Sequence, residues 1–447
     1  MSLGETLRES WATRTGFVLA AVGSAVGLGN VWRFPFQVGT EGGSAFLLLY
    51  LLFIALIGLP AILVEFVIGR RTQLNAVGAL REFGGRSWRY IGLLFVFTGI
   101  VLLSFYAVAG GWAMRYVLGS LTGGYLDDPA GYFDVIAMGW DTVAFQFVFL
   151  LIAVSIVALG IQRGIELAVK LIVPSIVVLL VALAIYAATL PDVSEGYAFY
   201  LSPDFDVIVE DWQSILPAAA GQAFFTLSLG MGVMITYASY LAEDRNLAED
   251  GLIVIGLDTA IAVIVGLFVF PVLAAAAVDP ADPGPGAVFV SLAQAFSDLP
   301  FGWFLGAIFF FILSIAAISS AISLLEVVVA YLIDEWNVTR LNATIGIGTI
   351  IFVVGIPTAL DIGVLALYDA FAANVLLLLG GLILAILVGW FASDEALAEI
   401  EQGVGNIGSL GVAWLWAVRI PVILGLAIAL LLAIVGFIEQ VEAFLNR

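Results

Sequence analysis

The 447-residue chain has no cysteine and no histidine, and Lys170 is the single lysine among its 15 cationic side chains. Disulfides, thiolate or imidazole metal sites, and Ser/His or Cys/His catalytic arrangements are therefore excluded. Charged residues make up only 11 % of the chain, and 35 acids against 15 bases give a net charge of −20. We therefore expect no nucleic acid or anionic partner recruited by a basic patch. Carboxylates, hydroxyls, amides, arginines and backbone groups remain for chemistry.

Long apolar runs fill most of the sequence, which is 63 % hydrophobic with a mean hydropathy of +1.15. A helix needs about 20 apolar residues to cross a bilayer core of roughly 30 Å. Eleven such runs, numbered span 1 to span 11, lie near 15–39, 44–69, 89–121, 142–160, 164–189, 214–240, 251–276, 302–333, 342–358, 362–391 and 413–437. The first has no small-residue cleavage pattern, so we interpret it as an uncleaved span. The sequence predicts an all-α polytopic membrane protein with eleven transmembrane helices in one domain, residues 1–447.

The distribution of arginines predicts the orientation of the chain. With a cytoplasmic N-terminus, twelve of the 15 cations lie on the cytoplasmic side, as the positive-inside rule requires. Only Arg33, Arg115 and Arg447 then lie outside. An odd number of spans puts the C-terminus outside the cell. The acid-rich connections 190–213 and 277–301 are expected to be solvated external loops.

Glycines and polar residues interrupt two spans at bilayer depth, at positions 23–30 and 221–232. Glycine lowers helix propensity by about 1 kcal/mol relative to alanine, and backbone that leaves a helix cannot stay unpaired in lipid. One such run is more simply explained by close helix packing. Two runs at matching positions of two five-span halves indicate a binding site at the midplane of a transporter. The halves, about 8–190 and 212–392, form a 5+5 inverted repeat, with an added helix at about 413–437.

Four motifs carry a family likeness: WATR at 11–14, GSAVGLGNVWRFP at 23–35, FFTLSLGMG at 224–232 and TYASY at 236–240. They resemble the sodium:neurotransmitter symporter family, in the bacterial and archaeal amino-acid branch that includes a bacterial leucine transporter. The resemblance runs from about residue 8 to 440. It implies the inverted-repeat fold with broken helices 1 and 6.

The resemblance implies two sodium sites made of oxygen ligands, which suit a hard cation. Site 1 would use, besides the carboxylate of the substrate, Ala25, Asn30, Thr226 and Asp258. Site 2 would use Gly23, Val26, Ala316, Ser319 and Ser320. Without the resemblance, the two serines would be interpreted as bonding back to their own helix.

Asp258 departs from many members of the family, which carry asparagine at this position. An ionised aspartate deep in a span is costly unless it is paired, so it is a functional candidate. In chloride-dependent relatives an anion lies near the positions of Tyr50, Gln222 and Thr226. We hypothesise that Asp258 supplies this negative charge, and we expect two sodium ions and no requirement for chloride.

The resemblance also implies a site for one amino acid between the two breaks. Backbone amides near Leu28 and Gly29 would bind its carboxylate, together with the hydroxyl of Tyr106. The expected contacts are Ser24, Ala25, Leu28, Gly29, Leu102, Tyr106, Phe225, Thr226, Ser228, Met231, Ser320 and Leu324. Taken alone, Leu102 and Tyr106 on one helical face would indicate only packing. Amine-transporting relatives carry aspartate where this chain has Gly27, so we expect a neutral, hydrophobic amino acid.

Charged residues within the spans predict two gates. The outer gate would pair Arg33 with Asp369, and the inner gate would pair Arg8 with Asp334. The alternative is that both arginines are interfacial side chains that snorkel to the membrane surface.

Four further residues complete the predicted site. Trp11 and Tyr240 would lie beside the inner gate. Glu65 and Glu326 are carboxylates in apolar spans, and we expect each to bond to neighbouring backbone.

Together these features predict a sodium-coupled symporter of the cell membrane, in which spans 1, 2, 6 and 7 rock as a group. A membrane enzyme is disfavoured because the common metalloprotease and thiol routes and the Gly-x-Ser-x-Gly elbow are all missing. A channel with a pore of broken backbone and a non-transporting amino-acid sensor stay open as alternatives.

The acid excess with one lysine indicates adaptation to a salt-rich habitat, where screening makes a negative surface tolerable. The sequence leaves the oligomeric state open.

Overall fold

The computed structural model describes residues 9–242, 244–280, 287–405 and 407–446, and these are helical with no strand. Within them, nine helical segments are long and apolar enough to cross a membrane. They are Ser44–Thr72, Arg86–Thr122, Trp140–Ala158, Ile161–Ala187, Leu247–Ala275, Gly302–Trp336, Arg340–Leu360, Ile362–Phe391 and Gly408–Leu445. A tenth span results if Arg14–Ala25 and Gly29–Thr40, which meet at 42°, are counted as one bent crossing.

The sixth predicted run is the reason the count of eleven is not reached. It forms two short helices, Trp212–Thr226 and Val233–Ala238, separated by six residues without regular helix. Neither half has the length of a spanning helix. Helical segments therefore coincide with all eleven predicted runs, while eleven crossings stay a prediction.

The acid-rich connections between spans contain helices where the sequence predicted loops. The first connection holds Ser194–Leu201 and Phe205–Glu210, and Asp204 caps the second of these by accepting from two backbone amides. The other connection holds Ala287–Asp298, which buries Phe289 and Phe296 in the core. Ala287–Asp298 is amphipathic and covers the core with its apolar side, whereas Phe205–Glu210 buries no residue.

Short helices also lie at both ends of the bundle. They are Ala76–Gly84, Arg86–Trp88, Pro129–Ile136 and Ser393–Val404. The last is fastened to span 2 by a buried ion pair, with Arg70 Nε 2.5 Å from Glu399 Oε1.

The centre and the periphery of the bundle differ in burial. In the most apolar 18-residue stretch of Gly302–Trp336, 83 % of the residues are buried, against 22 % in Gly408–Leu445. Span 8 therefore lies at the centre, and span 11 exposes most of its apolar surface, as a lipid-facing helix does. Arg86–Thr122 packs along span 8, so spans 3 and 8 form a fixed wall beside the two broken spans.

Two glycines, one in span 2 and one in span 6, allow close contact between the interrupted sixth span and its neighbours. A Cβ on Gly69 of span 2 would lie 2.1 Å from the carbonyl oxygen of Ile235. A Cβ on Gly230, whose φ is +77°, would lie 2.0 Å from the carbonyl oxygen of Leu377 in span 10. Side chains at either position would push the broken span away from its neighbours.

Candidate functional site

The two helix breaks face each other in the middle of the bundle. In span 1 the helix ends at Ala25 and helical structure resumes at Gly29. In span 6 it ends at Thr226, and Ser228 adopts a φ of +53° in the break. Ser228 Oγ donates to the carbonyl of Ser24 at 2.9 Å, which ties the two breaks together. Carbonyls and amides released from both helices therefore point into one region.

Asp258 lies beside the breaks, fully buried in span 7, and its partners are neutral. Asn30 Nδ2 donates to Asp258 Oδ1 at 2.8 Å, and Thr226 Oγ1 is 3.1 Å from Asp258 Oδ2. Thr226 also donates to Asn30 Oδ1 at 2.9 Å. The structure thus brings together the three predicted side chains of sodium site 1, with Ala25 at the end of the adjoining half-helix. A buried carboxylate whose neighbours are an amide and a hydroxyl offers oxygen ligands to a small cation.

A second group of oxygens lies between spans 1 and 8. Among the residues that the structure describes, buried Ser319 Oγ has no hydrogen-bond partner, and a Cβ on Gly23 would lie only 2.4 Å from it. Ser320 Oγ donates to the carbonyl of Ser24 at 2.8 Å. Ser319 therefore does not bond back to its own helix, which was the alternative interpretation. Two further predicted ligands, Val26 and Ala316, are buried in the same two spans.

A small cavity of about 20 Å³ lies between these groups. It is lined by Ser24, Ala25, Gly29, Leu102, Tyr106, Phe225, Ser228, Met231, Ser320 and Leu324, all of them predicted contacts. Leu28 adjoins it, since its backbone amide donates to the hydroxyl of Tyr106 at 3.0 Å. Thr226 belongs to the Asp258 cluster described above. Mostly apolar walls with a few convergent polar groups are typical of a small-molecule site.

Arg33 lies above the cavity, and its contacts differ from the predicted ones. No ion pair within 4.0 Å joins Arg33 to Asp369 in the described part of the chain, and Asp369 Oδ1 has no hydrogen-bond partner. Arg33 Nη2 instead donates to Asn374 Oδ1 at 2.7 Å, and Nη1 donates to Gln222 Oε1 at 3.3 Å. The guanidinium lies 4.9 Å from the centre of the Phe225 ring. A gate role for this arginine stays a prediction, with Asn374 as its direct partner.

The inner pair can be followed only in part, because Arg8 lies outside the described residues. Asp334 Oδ2 accepts from the amide and from the side chain of Asn75, at 3.1 and 3.2 Å. Trp11 lies beside Tyr240 as expected, with ring centres 6.2 Å apart. The indole of Trp11 donates to the carbonyl of Tyr237 at 2.9 Å.

A model of the sodium:neurotransmitter symporter family matches residues 8–126 and 137–443 of the chain. The chain is also similar, at 36 % identity over 96 % of its length and 98 % of the relative's, to the sodium-dependent transporter YhdH of Bacillus subtilis. The chain belongs to the sodium:neurotransmitter symporter family. A sodium-dependent transporter of Methanocaldococcus jannaschii is 32 % identical over 93 % of the chain and 89 % of that protein. This symporter is therefore a sodium-coupled, multi-pass membrane transporter and not an enzyme.

A solved structure extends the similarity to the fold. The crystal structure of MhsT in complex with L-phenylalanine is 43 % identical in sequence and has a TM-score of 0.87. The match covers 95 % of the symporter chain and 100 % of the MhsT chain. The helical architecture described above is thus that of a solved transporter of this kind.

The two remaining carboxylates of the symporter have different partners. Glu65 Oε1 accepts from the backbone amide of Gly230 at 2.7 Å, within the sixth-span break, as the sequence predicted. Glu326 does not follow that prediction. Its Oε2 is 2.7 Å from Arg340 Nη1, and its Oε1 accepts from the hydroxyl of Tyr240 at 2.8 Å. Glu326 therefore holds an ion pair, because an arginine at the start of span 9 reaches it.

Two polar contacts at the site were missed by sequence reasoning. Asn374 contacts Arg33, and Ser323 Oγ lies 2.7 Å from Ser24 Oγ at the cavity edge. The available signal was polarity: each is a polar side chain in an apolar run, Ser323 three residues after Ser320 and Asn374 five residues after Asp369. Which of several such residues faces the site depends on helix rotation, which the sequence does not show.

Replacement of Glu65 tests how the broken backbone is held. Glu65→Leu leaves the buried amide of Gly230 without an acceptor, which costs about 1–3 kcal/mol. We expect a lower midpoint of thermal unfolding for Glu65→Leu in detergent, and a smaller change for Glu65→Gln, whose side-chain carbonyl still accepts. Equal losses for both variants would show that the charge of Glu65, and not its bond to Gly230, maintains the break.

Proposed function

We propose that this symporter imports a neutral amino acid with a hydrophobic side chain, together with sodium, by alternating access. The observation that carries the proposal is the cavity between the two helix breaks, walled by Leu102, Phe225, Met231 and Leu324. Its apolar walls suit an aliphatic or aromatic side chain, and they must part to admit one because the cavity holds only about 20 Å³ here. The similarity to MhsT, solved with L-phenylalanine, supports the same substrate class.

The polar end of the cavity suits an α-carboxylate. The amide of Leu28 and the hydroxyl of Tyr106 are 3.0 Å apart, so a carboxylate oxygen in place of their mutual bond can accept from both. The helical segment that begins at Gly29 adds the positive end of its dipole. A Cβ on Gly27 would lie 2.1 Å from Ser320 Oγ and 2.6 Å from the hydroxyl of Tyr106. No carboxylate fits at Gly27 to pair with a substrate amine, so an amino acid is favoured over a monoamine.

The two oxygen clusters are proposed as the sodium sites. The cluster of Asn30, Thr226 and Asp258 is site 1, with the carbonyl of Ala25 and the substrate carboxylate as further ligands. Site 2 consists of the carbonyls of Gly23, Val26 and Ala316 and the hydroxyls of Ser319 and Ser320. The unpartnered, buried hydroxyl of Ser319 supports this second assignment.

Chloride is not required in the proposed mechanism. The fully buried carboxylate of Asp258 puts a negative charge where chloride-dependent relatives hold an anion. Gln222, one of the residues near that anion position, is engaged with the carbonyl of Gly29 at 2.8 Å and with Arg33. Both features favour a permanent internal charge over a bound anion.

Transport follows from the order of these contacts. Sodium and amino acid bind while the outer side is open; Arg33 then closes over Phe225, and the group of spans 1, 2, 6 and 7 rocks to open the inner side. Asp334 belongs to the inner closure, with Arg8 as its proposed partner and Asp369 as the distant charge facing Arg33. Each sodium ion that crosses 100 mV contributes about 2.3 kcal/mol, so two ions drive appreciable accumulation.

Orientation and habitat complete the proposal. We place the N-terminus of the symporter on the cytoplasmic side of the cell membrane and the C-terminus outside, from the distribution of its cations. The net charge of −20 fits a salt-rich medium, where sodium is an abundant driving ion.

Uptake into proteoliposomes tests the proposed function. We expect accumulation of radiolabelled phenylalanine or leucine with an inward sodium gradient, none when potassium replaces sodium, and no loss when gluconate replaces chloride. Preloaded unlabelled amino acid should accelerate entry by exchange. Conduction without exchange would identify a channel, and saturable binding without exchange would identify a sensor.

Substitution of Asp258 tests the source of the negative charge. Asp258→Asn should lose most sodium-driven uptake in chloride-free medium and regain part of it when chloride is added. Asp141→Asn, which removes an exposed carboxylate 3.0 Å from Arg115, is the control and should transport in both media. Unchanged uptake by Asp258→Asn without chloride would contradict the assignment.

Substitution of Ser319 tests the second sodium site. Loss of one hydroxyl ligand should raise the sodium concentration for half-maximal uptake about tenfold in Ser319→Ala. Ser314→Ala is the matched control, since Ser314 is buried in the same helix but its hydroxyl bonds to the carbonyl of Phe310 at 2.8 Å. The assignment fails if the two variants shift the sodium dependence equally.

A further inference from the structure

Glu166, a buried carboxylate near the start of the Ile161–Ala187 span, has no part in the site described above. Its side chain is 2 % exposed. Its Oε2 accepts from the backbone amide of Ala12 at 2.8 Å, and its Oε1 accepts from the hydroxyl of Thr13 at 2.7 Å. Lys170 Nζ, one turn further along the same helix, lies 2.6 Å from Oε1. Glu166 thus joins span 5 to the residues that start span 1.

The start of span 1 packs closely against the Glu166 carboxylate. Thr13 caps the helix Arg14–Ala25, because its hydroxyl oxygen accepts from the amide of Gly16 at 3.0 Å. A Cβ on Gly16 would lie 2.3 Å from the carboxylate carbon of Glu166. The two helices therefore meet closely at this point, and Glu166 binds the capping residue itself.

Further bonds hold the segment 9–13 along the start of span 5. The amide of Ile161 donates to Glu9 Oε2 at 2.8 Å, and Gln162 Nε2 donates to the carbonyl of Ser10 at 2.9 Å. Glu166 is the one buried charge in this set, since Glu9 is 43 % exposed. The electrostatic interactions of Glu166 are consequently the least screened by solvent in this set.

The other charged contact at the start of span 1 joins it to a span that moves with it in the proposed mechanism. Arg14 is 3.1 Å from Asp250 and 2.6 Å from Glu249, both at the start of span 7. Spans 1 and 7 belong to the group that rocks in the proposed mechanism, so these ion pairs can move with it. Glu166 belongs to span 5, outside that group, and its bonds to span 1 must break when the inner side opens.

We propose that Glu166 is a positioning residue that latches span 1 to span 5 and stabilises the inner-closed state. Lys170 keeps the carboxylate charged and oriented toward Thr13. The proposal rests on the alternating-access mechanism proposed above. In that mechanism, the contact of Glu166 with Ala12 and Thr13 must break when the inner side opens.

Single-cysteine labelling tests this latch, because the chain has no cysteine of its own. The inner reporter is Ser239→Cys, in the second half of span 6, where Ser239 is buried and bonds back to the carbonyl of Thr236. The outer reporter is Ala218→Cys. Ala218 lines a second cavity, which also includes Arg33 and Asn374 and lies on the proposed outer side. Maleimide labelling is followed for each reporter in the full-length protein in proteoliposomes, with sodium and without amino acid.

In Glu166→Gln we expect labelling to become about fivefold faster at the inner reporter and slower at the outer reporter. The reason is that the inward-open population grows at the expense of the outward-open population. Thr13→Val keeps the charge of Glu166 but removes the hydroxyl that binds it and that also caps span 1 at Gly16, and it should give a smaller change of the same sign. Glu249→Gln is the matched control, because it removes a carboxylate that binds the same end of span 1 from span 7. It should change neither rate by more than about twofold.

Three outcomes would overturn the proposal: no change at either reporter, faster labelling at both, or the same opposite shifts in Glu249→Gln. Faster labelling at both would mean general loosening, which a merely structural role produces. The wild type separates this failure from that of the transport mechanism. If sodium slows inner labelling of the wild type and Glu166→Gln changes nothing, the latch alone is wrong. If sodium leaves both wild-type rates unchanged, alternating access itself is contradicted.

Discussion

Backbone groups that leave a helix inside a bilayer must find partners within the protein, and the arrangement of this symporter follows from that constraint. The hydroxyls of Ser228 and Ser320 both donate to the carbonyl of Ser24 in the first break. Glu65 reaches from span 2 to accept from the amide of Gly230 in the second. Spans 2 and 8 therefore supply hydrogen-bond partners to the breaks. The cavity lies between the two breaks.

Buried charges in the symporter divide according to their partners. Glu326 is 2.7 Å from Arg340, and this pair neutralises itself away from the cavity. Asp258 has an amide and a hydroxyl as partners, and the hydroxyl of Ser319 has none. A buried group with a full set of partners stabilises the fold, whereas an incompletely paired one retains affinity for an ion. This distinction separates Asp258, the proposed sodium ligand, from Glu326, which is already paired.

In this fold the start of span 1 carries contacts of two kinds. Arg14 joins it to span 7, and Glu166 joins it to span 5. In the proposed mechanism, contacts of the first kind keep the moving spans together, and contacts of the second kind determine how readily those spans move away from span 5.

The sequence by itself determined the helical class, the positions of all eleven apolar runs and the sites of both breaks, because hydrophobic length and glycine content act locally. The family resemblance carried by the motifs of the broken spans identified the residues that line the cavity, including those of spans 3 and 8. The sequence did not determine that Arg33 contacts Asn374, since the wide π-helical turn at Ala370–Leu376 directs that side chain inward in place of Asp369. Nor did it pair Glu326 with Arg340. The division into two repeats stays a prediction. Only the tertiary structure decided such partners, because they depend on helix rotation and crossing, which are fixed by packing among spans distant in sequence.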